Sequence, residues 1–435
     1  MNWEFEYHSR IRSAQAAIYE NVQSGDGIYT GGPSSPTHTL NALFDAIQEE
    51  KLTGIELHSH TIFGDLTLSK YQFTREQLKY HTFFSSEPDR IFMNGKKCSY
   101  MPIQYGQFTS YIETVRPEVC IVMMSPPDLD GYCNIGPAGF HPVALRCAKK
   151  IIVQISKHVP RVVGTSHRYH VSEIDAFVLF DDPMSIVPSV PPTDVDQRIA
   201  DFILERVPDG ACIQLGIGGV ANAVGFGLHH KKHLGIHSEL LTESIVELME
   251  QGAVDNSCKK YRPGVSVIGF ALGTERQYQY IDQNPDFLFA EFSEVINIRN
   301  IAANDHMISI NSAISVDLTG QVCAESIGRQ IYSGTGGQLD FVRGSVQSKG
   351  GASFIAIPST VKTKQGVKSR IVMDLELGSI VTTPRTDVQH VVTEYGVATL
   401  QYCDVPERVR RMIAIAHPDY RDELSWSARR AGLLF

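Results

Sequence analysis

One short structural grammar occurs twice in this chain, and it limits the folds open to it. The first copy runs through a helical stretch (SAQAAIYENVQ, 13–23), a glycine break (SGDG), an apolar strand (GIYTGG), a second helix (THTLNALFDAIQEE) and a strand GIELHSH. The second copy has DQRIADFILERV (196–207), PDG, CIQLGIGG, VANAVGFGLHHKK and LGIHSE (234–239). Each ends on a Gly-Ile strand that runs into His-Ser, as a duplicated α/β unit would. Between the copies, TFFSS (82–86), VCIVMMSPP (119–127) and KIIVQIS (150–156) read as further strands, alternating with helices such as SYIETV and PVALRCAKK. Strands alternating with helices specify an α/β fold, here two tandem open domains of similar topology with mostly parallel sheets.

A chain of 435 residues, 43% hydrophobic, is longer than one core ordinarily supports. The prolines of PSVPPTDVD (188–196) can neither continue a helix nor donate to a sheet, and Thr193 is placed to cap the helix that follows. The boundary is therefore set at residue 190, giving domains 1–190 and 191–435. Lys plus Arg number 39 against 48 Asp plus Glu, a net charge of −9 with no long run of one sign, so no nucleic-acid partner is expected. The eight cysteines are scattered without a C-x-x-C pair, which fits reduced thiols in the cytoplasm. The opening MNWEFEYHSR has no apolar leader, and no stretch is long and apolar enough to span a bilayer, so no membrane partner is expected.

In paired α/β domains, ligands are expected at the carboxyl ends of strands, in the crevice between the halves. Glu239 stands at such an end and is a candidate nucleophile or base. A lone glutamate there is more often a solvated loop residue, so its surroundings decide its interest. QLGIGG (214–219) is a glycine-rich strand-to-helix turn whose backbone N–H groups can approach an oxyanion, which makes Gln214, Gly216 and Gly218 candidate catalytic-site members. Gly216, Gly218 and Ala221 followed by Glu239 also fit a dinucleotide fingerprint, and a nicotinamide-dependent oxidoreductase stays open on that spacing. A second cluster, Gly334, Thr335, Gly336, Gly337 and Gln338, has no part in a standard nicotinamide site. Lys362, Lys364, Lys368 and Arg370 could hold phosphates as point charges, although a run of this kind is more often a solvated hairpin. His58, His60, His229, His230, His233 and His237 do not fall at ligand spacing with Cys or carboxylates, and no metal is expected. Neither a G-x-S-x-G elbow nor a phosphate-binding G-x-x-x-x-G-K-[ST] loop is present.

Six segments taken in order, MMSPPDLDGYCNIG (123–136), QLGIGG (214–219), KKHLGIHSEL (231–240), GTGGQLDFVRG (334–344), VTEYGVA (392–398) and AHPDYRDEL (416–424), resemble the family I CoA-transferases. The likeness covers nearly the whole chain and is to the branch of 4-hydroxybutyrate CoA-transferases and acetyl-CoA hydrolase/transferases. It implies two domains of the NagB/RpiA/CoA-transferase-like kind, with Glu239 as the catalytic glutamate of the His-Ser-Glu motif. It further implies that Gly334–Gln338, with Lys362 and Lys364, lie along the CoA channel. Acyl-CoA and a small carboxylate would be the substrates, no cofactor would be tightly bound, and a cytoplasmic homodimer is expected. Relatives continue His-Ser-Glu-Met with an Asp-Gly pair soon after; here Leu240 follows, and Glu243-Ser244 take the Asp-Gly place. Two other expectations stand beside transfer: hydrolysis of the same thioester when water enters, and a CoA-binding regulator without chemistry.

Overall fold

The computed structural model describes residues 2–64, 70–94 and 98–435. The chain divides into two compact units, Met1–Val187 with Val267–Glu294, and Pro188–Ser266 with Val295–Phe435.

In the first unit, β1 (Ile11–Arg12), β2 (Gly27–Gly32), β3 (Ile55–Ile62), β4 (Leu78–Thr82), β5 (Cys98–Tyr100), β6 (Val119–Met124), β7 (Lys150–Ile155) and β8 (Ala176–Leu179) build one sheet. Their order is β1-β8-β7-β6-β2-β3-β4-β5, and every neighbouring pair is parallel. β6 reads Val-Cys-Ile-Val-Met-Met and is buried at every position, which suits only a strand covered on both faces. The helix α1 (Thr37–Gln48) turns Leu40, Leu43, Phe44 and Ile47 inward at helical spacing. They join Ile28, Ile55 and Leu57 of the sheet in one apolar cluster, and each such side chain is worth about 1.5–3 kcal/mol on burial. β4 lies earlier than TFFSS suggests. Its sequence Leu-Lys-Tyr-His-Thr alternates inward and outward, a period that the outward Lys79 and His81 conceal, whereas Phe83 and Phe84 follow in the turn. The stretch Val267–Glu294 belongs here through backbone bonds, with Gly139 donating to Gly269 at 2.8 Å and Phe289 to Val163 at 2.8 Å.

In the second unit, β9 (Cys212–Leu215), β10 (Gly235–Leu241), β11 (Met307–Ser312), β12 (Ala352–Ala356), β13 (His390–Thr393) and β14 (Gly396–Thr399) run in the order β10-β9-β11-β12-β13-β14. Pairing is parallel up to β13, and β13–β14 is an antiparallel hairpin. This order repeats β3-β2-β6-β7-β8 of the first unit, as the duplicated sequence implies. α2 (Asp194–Leu204) opens on Thr193, whose hydroxyl accepts from Asp196 N–H while the Asp196 carboxylate accepts from Thr193 N–H; this reciprocal cap satisfies two otherwise orphaned donors. α3 (Gly219–Gly227) and α4 (Gln338–Gln347) each begin directly after a glycine turn.

Candidate active site

β9 and β10 pair in parallel with Cys212 opposite Gly235 and Ile213 opposite Ile236, and Ser238 reaches back to Leu215 O at 3.5 Å. Glu239 follows, level with the turn that leaves β9. It is part-buried, and Gly337 N–H donates to its Oε2 at 2.8 Å. Only glycine permits that approach, because a Cβ on residue 337 would run into the Glu239 carboxylate. Burial pushes the Glu239 carboxyl up to about 8, the Gly337 N–H pulls the other way, and the neighbouring Asp340 carboxylate adds to the rise. A carboxylate so placed is short of water and held from one side, as a poised base or nucleophile must be.

The two glycine turns share hydrogen-bonded neighbours. Gly216 N–H donates to Ile310 O at 2.9 Å, and Gly218, at φ 109°, precedes α3 in a conformation that side chains avoid. Ser312, closing β11, donates from Oγ to Ile217 O at 3.4 Å, and Gln338 Nε2 donates to Ser312 O at 2.8 Å. Thr383 then donates to Gln338 Oε1 at 2.9 Å. Below them Gln214 and Asn311 exchange amide hydrogen bonds, each 3.2 Å long. Glu239, Gln214, Gly216, Gly218, Gly337 and Gln338 thus lie in one neighbourhood, with Gly334, Thr335 and Gly336 in the loop that leads to Gly337. Lys362 and Lys364 are exposed on the hairpin Thr360–Thr363/Gly366–Ser369; among the described residues no hydrogen bond or ion pair ties them to Glu239. Asn311, Ser312 and Thr383 had no motif to announce them, and Asp340 lay inside GTGGQLDFVRG without being singled out. Asn311 had one signal, a polar residue at the carboxyl end of an apolar strand, the same one that picks out Glu239.

Two local features bear on the expectations from sequence. At the start of α3, where a dinucleotide would set its pyrophosphate, a Cβ on Gly219 would strike the carboxylate of buried Asp196, so an acid already faces that helix end and opposes a second anion. Glu243-Ser244 begin the helix Glu243–Glu250, so residue 244 needs no glycine. Its hydroxyl bonds Thr242 Oγ1 at 3.0 Å and fills the space over Gly225, where a Cβ would collide with it.

Residues 1–191 match the model of the acetyl-CoA hydrolase/transferase N-terminal domain, and residues 273–428 that of the C-terminal domain. The chain is 39% identical to a succinyl-CoA:cyclohexane-1-carboxylate CoA transferase of Geobacter metallireducens, over 99% of this chain and 97% of that protein. It is 36% identical to a 4-hydroxybutyrate coenzyme A transferase of Clostridium kluyveri, over 98% of each. Among solved structures it is similar to RipA from Yersinia pestis, with a TM-score of 0.92 and 31% identity over the full length of both chains.

Proposed function

The chain belongs to the acetyl-CoA hydrolase/transferase family, and from that premise we propose that it is an acyl-CoA:carboxylate CoA-transferase of the 4-hydroxybutyrate or acetate/butyrate type, with Glu239 as nucleophile. The observation that carries this reading is the part-buried Glu239 carboxylate held by Gly337 N–H at 2.8 Å. A carboxylate attacks a thioester slowly in water because its charge is well hydrated. Burial that lifts its basicity toward 8 removes part of that hydration, and one fixed hydrogen bond orients the attacking oxygen.

Glu239 attacks the acyl-CoA carbonyl and expels CoA thiolate, leaving an acyl-glutamyl anhydride. The thiolate attacks the glutamyl carbonyl, releasing the donor carboxylate and forming an enzyme-CoA thioester. The acceptor carboxylate attacks that thioester and expels CoA thiolate, which takes the new acyl group and frees Glu239. Every step passes through an oxyanion. The Gly337 N–H, the side-chain amides of Gln214 and Asn311 and the turn Gly216–Gly218 supply candidate donors, each worth about a hundredfold in rate or more. The loop Gly334–Gln338 and the exposed Lys362 and Lys364 would meet the CoA moiety, a cytoplasmic homodimer being the expected form. Water reaching the enzyme-CoA thioester turns transfer into hydrolysis.

The test is conversion of labelled acetate to labelled acetyl-CoA at the expense of butyryl-CoA or 4-hydroxybutyryl-CoA, with release of the donor carboxylate. The native enzyme is expected to catalyse it and Glu239→Gln to lose it by roughly a thousandfold or more. Native-level conversion in Glu239→Gln would remove the nucleophile assignment.

A further inference from the structure

His237 lies on β10 two residues before Glu239, on the same face of the strand, and is completely buried. Its Nε2 is 2.7 Å from Val295 O. A carbonyl only accepts, so Nε2 carries the hydrogen and Nδ1 is the acceptor, facing the Asn304 amide at 3.4 Å. The ring also packs beside Phe341, with centroids 6.1 Å apart, in the first turn of α4. Ile296, next to Val295, borders Gly337, since a Cβ there would lie 3.5 Å from Ile296 Cγ2.

The charged group that acts on the ring is Lys259, whose Nζ donates to Ile236 O at 2.7 Å and Val265 O at 2.6 Å. Burial, and then Lys259, hold His237 in its neutral form, down to about 3. Tyr261 also lies beside the ring, with centroids 5.7 Å apart. Asp340 on α4 is the charged neighbour of Glu239.

We infer that His237 is a positioning residue for Glu239: by tying the Val295 carbonyl and the Phe341 ring to β10, it fixes the N-terminus of α4, from which Gly337 N–H reaches the carboxylate. This inference rests on Glu239 being the nucleophile. Without the His237 tether, Val295 O loses its donor, Ile296 and Phe341 are freed to shift, and the 2.8 Å bond from Gly337 lengthens. That bond favours the ionised carboxylate, so weakening it raises the pH at which Glu239 becomes reactive.

The experiment is the rate at which acyl-CoA alone converts Glu239 into a borohydride-reducible adduct, followed by peptide mass between pH 6 and 10. His237→Asn, whose amide nitrogen stands nearer the Nδ1 place, should move the apparent pKa of adduct formation up by about half a unit or more. It should lower kcat about tenfold while leaving KM for acyl-CoA within about twofold. His237→Gln, whose amide reaches the Nε2 place, should restore the native profile. A folded His237→Asn with the native pH profile, or equal loss in both variants without a pH shift, would overturn the inference. Should His237→Asn fail to fold, Ile296→Ala decides: a raised pKa supports the relay and an unmoved one refutes it. An absent Glu239 adduct in the native enzyme would instead strike the nucleophile assignment.

Discussion

As the proposed nucleophile, Glu239 meets two opposed demands, since it must be ionised to attack and yet its site raises the cost of charge. With its carboxyl up at about 8, the adduct-forming rate should climb with pH and level off above that value, as a pH profile of single-turnover kinetics would show. Stability should move the other way. A carboxyl near 4.5 when unfolded and near 8 when folded binds its proton more tightly in the native state, so its contribution is full below pH 4.5 and is lost as pH rises toward 8. Glu239→Gln, which cannot ionise, should therefore gain on the native protein across that window, by up to about 1.4 kcal/mol per pH unit in denaturant titrations. Gly337→Ala places a methyl where the carboxylate sits. It should cost about a hundredfold in kcat with the fold retained, read by steady-state kinetics beside far-UV circular dichroism. Glu239 and Gly337 were visible in the sequence because each stands near the end of a strand or just before a helix with a telling residue type. Thr383 was hidden because its partner, Gln338, is far away along the chain.

At the scale of elements, the duplication explains why so much was legible. Ile28 pairs with Leu57 in the first unit and Ile213 with Ile236 in the second. The residues that follow are His58-Ser59-His60 in one and His237-Ser238-Glu239 in the other. The two strands thus share a place and differ in its chemistry, His60 standing where the second unit has its acid. Apolar runs located β6 and β7 to within a few residues, and Thr193 marked the start of α2. Its cap is testable, as Thr193→Ala should cost about 1 kcal/mol, seen as a lowered midpoint in urea. β4 was displaced in the sequence reading because two polar residues face outward from it. The allegiance of Val267–Glu294 to the first unit depends on backbone bonds to residues more than a hundred positions earlier, which no local pattern encodes.

Over the whole molecule, the first unit carries an unusual load of buried histidine. His60 and His167 have no partner for either ring nitrogen among the described residues, and His141 none for Nε2. Burial holds His60 and His141 down to about 3 and His167 to about 4. The unfolded chain takes up these protons near the ordinary 6.5 and the folded chain does not. The stability they allow is therefore present above pH 6.5 and lost progressively as pH falls toward 3 to 4. Melting temperature should accordingly drop steeply below pH 6, and His60→Phe, which stays stacked on Phe140, should flatten that drop. Such acid sensitivity belongs to the fold, whereas the proposed chemistry rests on one side chain of the second unit, Glu239. The most direct measurement of that claim is the mass of the protein after mixing with acyl-CoA in the absence of an acceptor. A CoA-sized increment is expected on the peptide containing Glu239, erased by acetate as acetyl-CoA appears. An unmodified Glu239 in an enzyme that still transfers CoA would contradict it.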